Sequence, residues 1–402
     1  MRRLKILHLI DLEKVGGVES MFVDFIQAMP PEGIAAEHYT IVDSLDLAPR
    51  FVEPVRRFSR LLATPRHWLG FKLPRRPRGV RQWRRMQLIR QVKPDLVLVW
   101  NQFTDLGSSD VQLGCPLIYY EHGMSWYTHS QRQLDSFLPH VHGAIAASHA
   151  AARMLQLKHG VPFDIRECPN PLRRGMLSAT IEPKERDPLR PLRIGIAGRL
   201  VPLKAVPLVV LAVKHLLARG IAVEAVIAGE GPEKGVLETL IRREGLERHV
   251  RLLGLIDDMP SFYRDIDVFV STSMHETMPL VCLEAMAYGV PVIASRVDGF
   301  PEIVRSGYNG LLLNPKLGIH EYGVLTGAST SFSHTVYAPD QDELIPTALL
   351  SPEQIADAVV CIAANNDEYK KFSMEALSSL AEVRSYSQYL DSLYGCLLDY
   401  LS

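Results

Sequence analysis

Short apolar segments alternate along this chain with segments of helical periodicity. Residues 4–10 form an apolar run, and after the turn at Gly16 and Gly17 the apolar residues fall at helical spacing on one face. Further apolar runs continue the pattern at 96–100, 117–120 and 143–147. Alternating strands and helices favour a parallel, doubly wound α/β sheet.

A second series of strands and helices follows a charged, proline-containing stretch at 173–190. Its apolar runs predict strands at 192–197, 222–228, 250–253, 268–272 and 290–295. Its helical segments are predicted at 207–219, 232–244 and 280–288. We therefore predict two Rossmann-like domains, over 1–172 and 191–385, joined by a linker at 173–190.

Two segments depart from this alternation. Residues 314–350 are rich in Gly, Ser, Thr and Pro, and we interpret them as a long insertion of functional or mobile character. After Tyr386 the apolar residues return to helical spacing. This spacing predicts an amphipathic helix over 386–402 that packs back on the N-terminal domain.

Composition narrows the class of protein. A chain of 402 residues suits two domains, and a formal net charge of −1 gives no overall attraction to nucleic acid. The five cysteines have no metal-ligand spacing, which favours free thiols in a reducing cytosol. The first apolar run is too short for a signal peptide, and no run approaches the roughly 20 residues of a membrane span. We expect a cytoplasmic protein that is at most peripheral to a membrane.

Two glycine-containing turns follow strands of the second series. Gly198, Arg199 and Lys204 lie between a predicted strand and a helix, where glycine permits close backbone approach and a helix N-terminus attracts anions. The two cations suit a diphosphate leaving group, whose charge grows as a sugar departs. Gly229 lies in a second turn of the same kind, which is weak evidence by itself.

Two carboxylates are the most specific feature. Glu276 follows the predicted strand at 268–272, and Glu284 lies eight residues later, in the early turns of the next helix. Parallel strands present their ligands at this edge, and carboxylate oxygens accept hydrogen bonds from the hydroxyls of a sugar or a ribose.

These motifs, taken in order, resemble the retaining family 4 glycosyltransferases, over about residues 1–313 and the terminal helix. The resemblance implies the GT-B fold, in which two Rossmann-like doubly wound domains form an interdomain cleft. It also implies an acceptor-binding N-terminal domain and a nucleotide-sugar-binding C-terminal domain. The residues of this chain that it assigns to donor binding are Gly16, Gly17, Gly198, Arg199, Lys204, Gly229, Glu276, Pro279, Leu280 and Glu284.

The resemblance further implies individual roles. Arg199 and Lys204 bind the diphosphate, Glu276 contacts the donor-sugar hydroxyls, and Glu284 contacts the ribose. His122, in the sequence Glu-His-Gly after a predicted strand, lies near the reacting sugar. The implied catalytic set is therefore His122, Glu276, Arg199 and Lys204. The usual Glu-Gly-Phe-Pro start of the carboxylate block is Glu-Thr-Met-Pro in this chain, which leaves the donor sugar open.

An Asp-x-Asp sequence at Asp265 and Asp267 resembles a metal-binding motif of another glycosyltransferase fold. It directly precedes a strand predicted to be buried, and no further oxygen ligands are near it in the sequence. We interpret Asp267 as a residue at the start of the strand, and we predict an enzyme that needs no metal and no cofactor.

Residues 50–93 are strongly basic, with Glu53 as their only acid and with Trp68, Phe71 and Trp83 among the cations. Such a segment predicts a polyanionic partner. An anionic membrane surface fits best, a phosphorylated acceptor is next, and nucleic acid is a weaker third. We predict that the acceptor or the membrane is contacted by Arg75, Arg76, Arg84 and Arg85.

The sequence therefore predicts transfer of a sugar, with retention, from a UDP- or GDP-sugar to a glycan or lipid-linked acceptor. Synthesis of cell-surface polysaccharide or glycolipid, at the inner face of a membrane, is the expected setting. Two alternatives remain at this point. A sugar-nucleotide epimerase uses the same fold, and a non-catalytic glycan- or lipid-binding protein uses the same scaffold.

Overall fold

The computed structural model describes residues 2–69, 71–74, 76, 79–107, 112–173, 176 and 181–401. The chain divides into two compact units. Unit 1 comprises Met1–Pro169 with Ser387–Ser402, and unit 2 comprises Asn170–Tyr386. The described part of the predicted linker belongs to unit 2, where the Lys184 backbone N–H donates to the Ser373 hydroxyl at 2.7 Å.

Unit 1 contains a seven-stranded parallel sheet and a small antiparallel hairpin, β4–β5. Its strands are β1 (Arg2–Ile10), β2 (Ile34–Val42), β3 (Ser59–Ala63), β4 (His67–Trp68), β5 (Phe71–Lys72), β6 (Leu96–Val99), β7 (Leu117–Glu121), β8 (Gly143–Ala146) and β9 (Asp164–Glu167). Its helices before the division are α1 (Gly17–Gln27), α2 (Pro49–Phe58), α3 (Gly79–Val92), α4 (Gln131–Asp135) and α5 (His149–His159). The sheet order is β3-β2-β1-β6-β7-β8-β9.

Unit 2 contains a six-stranded parallel sheet in the order β12-β11-β10-β13-β14-β15. The strands of this unit are β10 (Leu192–Ala197), β11 (Val223–Ala228), β12 (Val250–Gly254), β13 (Val268–Ser271), β14 (Val292–Ser295), β15 (Gly310–Leu313), β16 (Thr335–Ala338) and β17 (Glu343–Pro346). Its helices are α6 (Pro207–Ala218), α7 (Lys234–Arg243), α8 (Met259–Asp265), α9 (Leu280–Met286), α10 (Ile319–Thr326), α11 (Pro352–Ile362) and α12 (Asn366–Ser378).

The predicted doubly wound sheets are therefore confirmed. In each sheet the strand order reverses beside the first strand, between β1 and β6 in unit 1 and between β10 and β13 in unit 2. Ligands of such sheets bind beyond the carboxyl ends of the strands at this reversal. The loops after β10 and β13, which carry the predicted donor residues, lie at the reversal of unit 2.

The segment 314–350 contains regular structure, namely helix α10 and the antiparallel pair β16–β17. Tyr322 and Tyr337 in this segment are 0% and 2% exposed, so it contributes to the core of unit 2. It is therefore more ordered than its weak periodicity suggested. Its buried aromatic side chains are spaced too widely to produce a periodic pattern.

The terminal helix α13 (Tyr386–Asp399) packs within unit 1. The Tyr389 hydroxyl lies 3.3 Å from the Tyr120 hydroxyl, and the Tyr394 ring lies 5.4 Å from the Phe25 ring. Among the described residues, no helix combines the length and the apolar character that a bilayer span requires.

Candidate active site

The two glycine turns after β10 and β11 pack backbone against backbone. The Gly198 N–H donates to the Ala228 oxygen at 3.0 Å. A Cβ atom at Gly229, whose φ is +141°, would lie 1.9 Å from the Gly198 oxygen. A Cβ atom at Gly231 would lie 2.3 Å from the Leu200 oxygen. These glycines are therefore required by the contact between the two turns, which holds the loop of Arg199 in place.

Lys204 ends a short 3₁₀ turn at Pro202–Lys204, and its ammonium group forms an ion pair with the Glu276 carboxylate. Both side chains are about a fifth exposed, at 21% and 19%. The Thr272 hydroxyl donates to the Lys204 oxygen at 2.7 Å, so the loops after β10 and β13 are tied together. The structure thus brings together Lys204 and Glu276, which are 72 residues apart in the sequence.

Arg199 lies in the same loop as Lys204, and with Gly198 and Lys204 it lines a small cavity at the end of the strands. Its side chain is exposed and has no ion-pair partner within the part of the chain that the structure describes. An unpaired guanidinium next to a lysine is a suitable arrangement for binding a diphosphate.

Asp298 holds the loop of Glu276. Its carboxylate accepts hydrogen bonds from the backbone N–H of Glu276 at 3.1 Å and from that of Tyr337 at 2.8 Å. Asp298 is 0% exposed and has a φ of +50°, which is unusual for a residue other than glycine. The insertion hairpin and the Glu276 loop therefore share one buried carboxylate.

Glu284 is 1% exposed, on the first turns of α9. The Tyr263 hydroxyl donates to its Oε2 at 2.8 Å, and the Arg173 Nε lies 3.5 Å from its Oε1. Burial raises the pKa of this carboxyl group, and Arg173 and Tyr263 oppose the rise. Oε1 has no hydrogen-bond partner among the described residues, so it is available to a ligand hydroxyl. Helix α9 begins at Leu280, and Pro279 is its N-cap.

In unit 1, Glu121 shapes the loop that carries His122. The Glu121 carboxylate is 0% exposed and accepts hydrogen bonds from the Tyr119 hydroxyl at 2.9 Å, from the Gly123 N–H, and from the N–H and hydroxyl of Ser125. Gly123 has a φ of +118°, which favours glycine at this position. The buried carboxylate therefore organises the turn by satisfying its donors.

His122 is held neutral by its surroundings. Its ring stacks on Trp100 with centroids 5.9 Å apart and an interplanar angle of 4°. Burial lowers the pKa of His122 to about 3. Its Nε2 is buried without a hydrogen-bond partner among the described residues. A neutral imidazole with a free nitrogen can exchange a hydrogen bond with a sugar hydroxyl.

Gly16 and Gly17 lie at the start of α1, after β1. Gly17 is exposed, and a Cβ atom at Gly16 would lie 2.3 Å from a carboxylate oxygen of Glu19. The Asn101 amide donates to that same side chain at 2.6 Å, which joins the loops after β1 and β6. Neither Glu19 nor Asn101 is among the site residues that the sequence predicts.

The acids of the Asp-x-Asp sequence are ion-paired. Asp267 is 1% exposed, forms an ion pair with Arg190 and accepts the Arg193 backbone N–H at 2.8 Å. Asp265 forms an ion pair with the Arg193 side chain. Within the described residues, no cluster of His, Cys, Asp and Glu has the arrangement of a metal site.

The basic segment is partly neutralised by acids that lie elsewhere in the sequence. Arg60 lies 3.2 Å from Glu37, and Arg66 lies 3.3 Å from Glu13. Arg85 is 8% exposed and contacts Asp43 and the Asp105 backbone, so the expectation of a membrane contact is wrong for this residue. Its partners could not be inferred from local composition.

Of the other arginines predicted to contact the acceptor or the membrane, Arg76 is exposed and Arg84 is half-buried beside Gln87. Arg75 lies outside the described residues.

Two family models match adjacent parts of the chain. The model described as "Glycosyltransferase Family 4" matches residues 15–173, and the model described as "Glycosyl transferases group 1" matches residues 178–322. Together they include all the predicted site residues of both units.

Individual relatives match shorter stretches. An uncharacterized glycosyltransferase of Methanocaldococcus jannaschii is 37% identical over 121 residues, which is 30% of this chain and 31% of the relative. The lipopolysaccharide core biosynthesis glycosyltransferase LpsE of Rhizobium meliloti is 38% identical over 88 residues, which is 22% of this chain and 26% of the relative. The chain thus matches about a third or less of the length of these relatives.

A solved structure is similar over nearly the whole chain. The crystal structure of HepE from Anabaena in complex with UDP and glucose has a TM-score of 0.72 at 17% identity, and covers 98% of this chain and 100% of that one. At this identity the likeness establishes the fold.

Proposed function

Because the chain belongs to glycosyltransferase family 4, we propose that it transfers a sugar, with retention, from a UDP- or GDP-sugar to a glycan or lipid-linked acceptor. The observation that carries this proposal is that Lys204, ion-paired with Glu276, lines one cavity with the unpaired Arg199 at the point where the strand order of unit 2 reverses. The cell-surface setting is supported by the relative LpsE, which is named for lipopolysaccharide core biosynthesis.

The cations of unit 2 act on the leaving group. As the bond between the sugar and the diphosphate breaks, negative charge grows on the diphosphate, and Arg199 and Lys204 stabilise that charge. Lys204 is shared between Glu276 and the arriving diphosphate, so donor binding releases part of the Glu276 carboxylate. The released oxygens accept hydrogen bonds from the donor sugar.

The remaining contacts orient the donor and the acceptor. The Glu284 Oε1, which makes no hydrogen bond to the described residues, accepts a hydrogen bond from a ribose hydroxyl, while the Tyr263 hydroxyl donates to the other oxygen at 2.8 Å. His122 of unit 1 is neutral at physiological pH because burial lowers its pKa to about 3, so its imidazole can exchange a hydrogen bond with a sugar hydroxyl.

A membrane contact through the basic segment is the second part of the proposal. In the hairpin β4–β5, Leu69 and Phe71 are each 77% exposed, and Trp68 packs edge-to-face on Trp83 at 5.7 Å. Exposed apolar side chains beside cations suit the interface of an anionic bilayer. Arg76, four residues after the second strand, is an exposed cation of this kind.

The test is a donor screen that measures nucleoside diphosphate release from UDP- and GDP-sugars, with and without lipid-linked acceptors and with and without EDTA. We expect acceptor-dependent release with one donor, a product of retained anomeric configuration by NMR, and activity that survives EDTA. Formation of an epimerised free sugar without an acceptor would instead identify an epimerase. Absence of donor turnover with every acceptor would contradict the proposal.

A further inference from the structure

A polar pocket lies within unit 1, at the edge of the sheet where the strands end. It encloses about 610 Å³, which is within the usual range of ligand sites. Its walls come from the segments directly after β2, β6 and β7 and from helices α3 and α4. Because ligands of doubly wound sheets bind beyond the carboxyl ends of the strands, the pocket lies where a ligand is expected.

The charge of the lining favours an anion. Arg81, Arg85 and Arg132 contribute three cations, against the carboxylates of Asp43 and Asp105. Arg85 is ion-paired with Asp43 at 3.3 Å, and the Asp105 carboxylate accepts the Gln82 amide. Arg132 is exposed and has no ion-pair partner within the described ranges. The lining therefore carries a net positive charge, and neither Arg81 nor Arg132 is paired with a carboxylate of the described residues.

Two buried polar atoms at the pocket have no partner. Thr104 lines the pocket and is 3% exposed, yet its hydroxyl makes no hydrogen bond to any described residue. The Nε atom of Arg81, on another wall, is likewise buried and unpaired. Native proteins rarely leave buried polar atoms unpaired. A hydroxyl and a donor that both lack partners indicate a ligand with oxygen atoms.

We propose that this pocket binds the acceptor as an anionic saccharide, a sugar that carries a carboxylate or a phosphate. The anionic group contacts Arg132 and Arg81, and a ring hydroxyl contacts Thr104. This inference rests on the proposed glycosyl transfer. The loop of His122 continues into Met124, which lies on the pocket wall, so a saccharide bound here is at the same edge of unit 1 as that histidine.

The experiment is a calorimetric titration of the 402-residue protein with glucuronate, glucose 6-phosphate, glucose and inorganic phosphate, each in a separate measurement. We expect at least one of the two anionic sugars to bind at least tenfold more tightly than either glucose or phosphate. Arg132→Ala should lower that affinity by at least tenfold, because a charged hydrogen bond is lost. Arg90→Ala, which removes an exposed cation of α3 outside the lining, is the matched control and should leave the affinity unchanged.

Thr104→Val separates a binding role from a structural one. The substitution keeps the shape and removes an unpaired hydroxyl, so the melting temperature should stay equal or rise while the affinity for the anionic sugar falls at least threefold. Equal binding of neutral and anionic sugars, no sugar binding, or binding unaffected by both substitutions would overturn the assignment. Binding of UDP and GDP is measured on the same samples, because its absence in the unmodified protein would refute the proposed function separately.

Discussion

The substitution Glu276→Gln should move the affinity for a nucleoside diphosphate and the rate of sugar transfer in opposite directions. In the structure the Glu276 carboxylate neutralises Lys204. A diphosphate on Lys204 would place its negative charge near this carboxylate. If the separation is taken as about 6 Å, two unit charges repel by roughly 0.7 to 3 kcal/mol for effective dielectric constants of about 80 and 20.

Removal of the carboxylate charge should therefore tighten binding of UDP or GDP by about 3-fold to 100-fold, since about 1.4 kcal/mol corresponds to tenfold. The same change weakens the hydrogen bonds to the donor sugar. Turnover of the sugar donor should therefore fall by on the order of 10²-fold. Calorimetry with the nucleoside diphosphate and a release assay with the nucleotide sugar measure the two effects.

The matched control is Glu230→Gln, which removes one carboxylate from the neighbouring turn, where Glu230 is paired with Lys234 at 2.9 Å. It should change neither quantity by more than about twofold, because an exposed ion pair contributes little. If Glu276→Gln weakens nucleoside diphosphate binding, or leaves turnover at the level of the control, the sharing of Lys204 between carboxylate and diphosphate is refuted.

Gly229→Ala should destabilise unit 2 by about 2–5 kcal/mol in a denaturation assay and abolish nucleoside diphosphate binding, because the new Cβ atom would lie 1.9 Å from the Gly198 oxygen. The control is Gly235→Ala on α7, where a Cβ atom meets no other atom within 4 Å. In the same assay this control should be neutral or stabilising by up to about 1 kcal/mol. Burial lowers the pKa of His38 to about 4 in the folded protein, whereas its pKa in the unfolded chain is about 6.5. As the pH falls from about 6.5 toward 4, the unfolded chain therefore binds a proton that the folded protein does not, and the protein loses stability. His38→Asn should make the melting temperature fall less steeply with acid, and an unchanged slope would contradict this. The double variant Leu69→Ser with Phe71→Ser should reduce co-sedimentation of the protein with anionic vesicles. The control Leu189→Ser, at a residue of unit 2 that is 94% exposed, should leave co-sedimentation unchanged. Equal losses in the two variants would exclude the hairpin β4–β5 as the membrane contact.

The central strands of unit 2 were predictable because β10, β13 and β14 are largely buried and consist mostly of apolar residues. The prediction of 192–197 coincides with β10. Strand β2 is different, because Glu37, His38 and Thr40 interrupt its apolar pattern. Their partners come from other segments; for example, the His38 Nδ1 lies 2.9 Å from the His8 Nε2. Local sequence does not reveal such partners.

The residues of the candidate site likewise include some that the local sequence predicts and some that it does not. Glycines, cations and carboxylates after strands identify the loops of unit 2, because strand ends and turn residues are local signals. Asp298 carries no such signal, since its role depends on a hairpin that lies some 40 residues away and on a backbone N–H of the Glu276 loop. The burial of Arg85 was also unpredictable, because its partner Asp43 is 42 residues away.

The most direct test of the account is calorimetry of UDP and GDP binding to the unmodified protein and to the double variant Arg199→Ala with Lys204→Ala. Each cation is expected to contribute about 1.5–3 kcal/mol to diphosphate binding, so the double variant should bind about 10²-fold to 10⁴-fold more weakly. Lys214→Ala with Arg219→Ala, which removes two partly exposed cations of unit 2 paired with Glu244 and Asp357, is the control and should bind normally. The account predicts nucleoside diphosphate binding that only the first double variant loses. Equal affinity of that variant and the unmodified protein, or no binding by the unmodified protein, would contradict it.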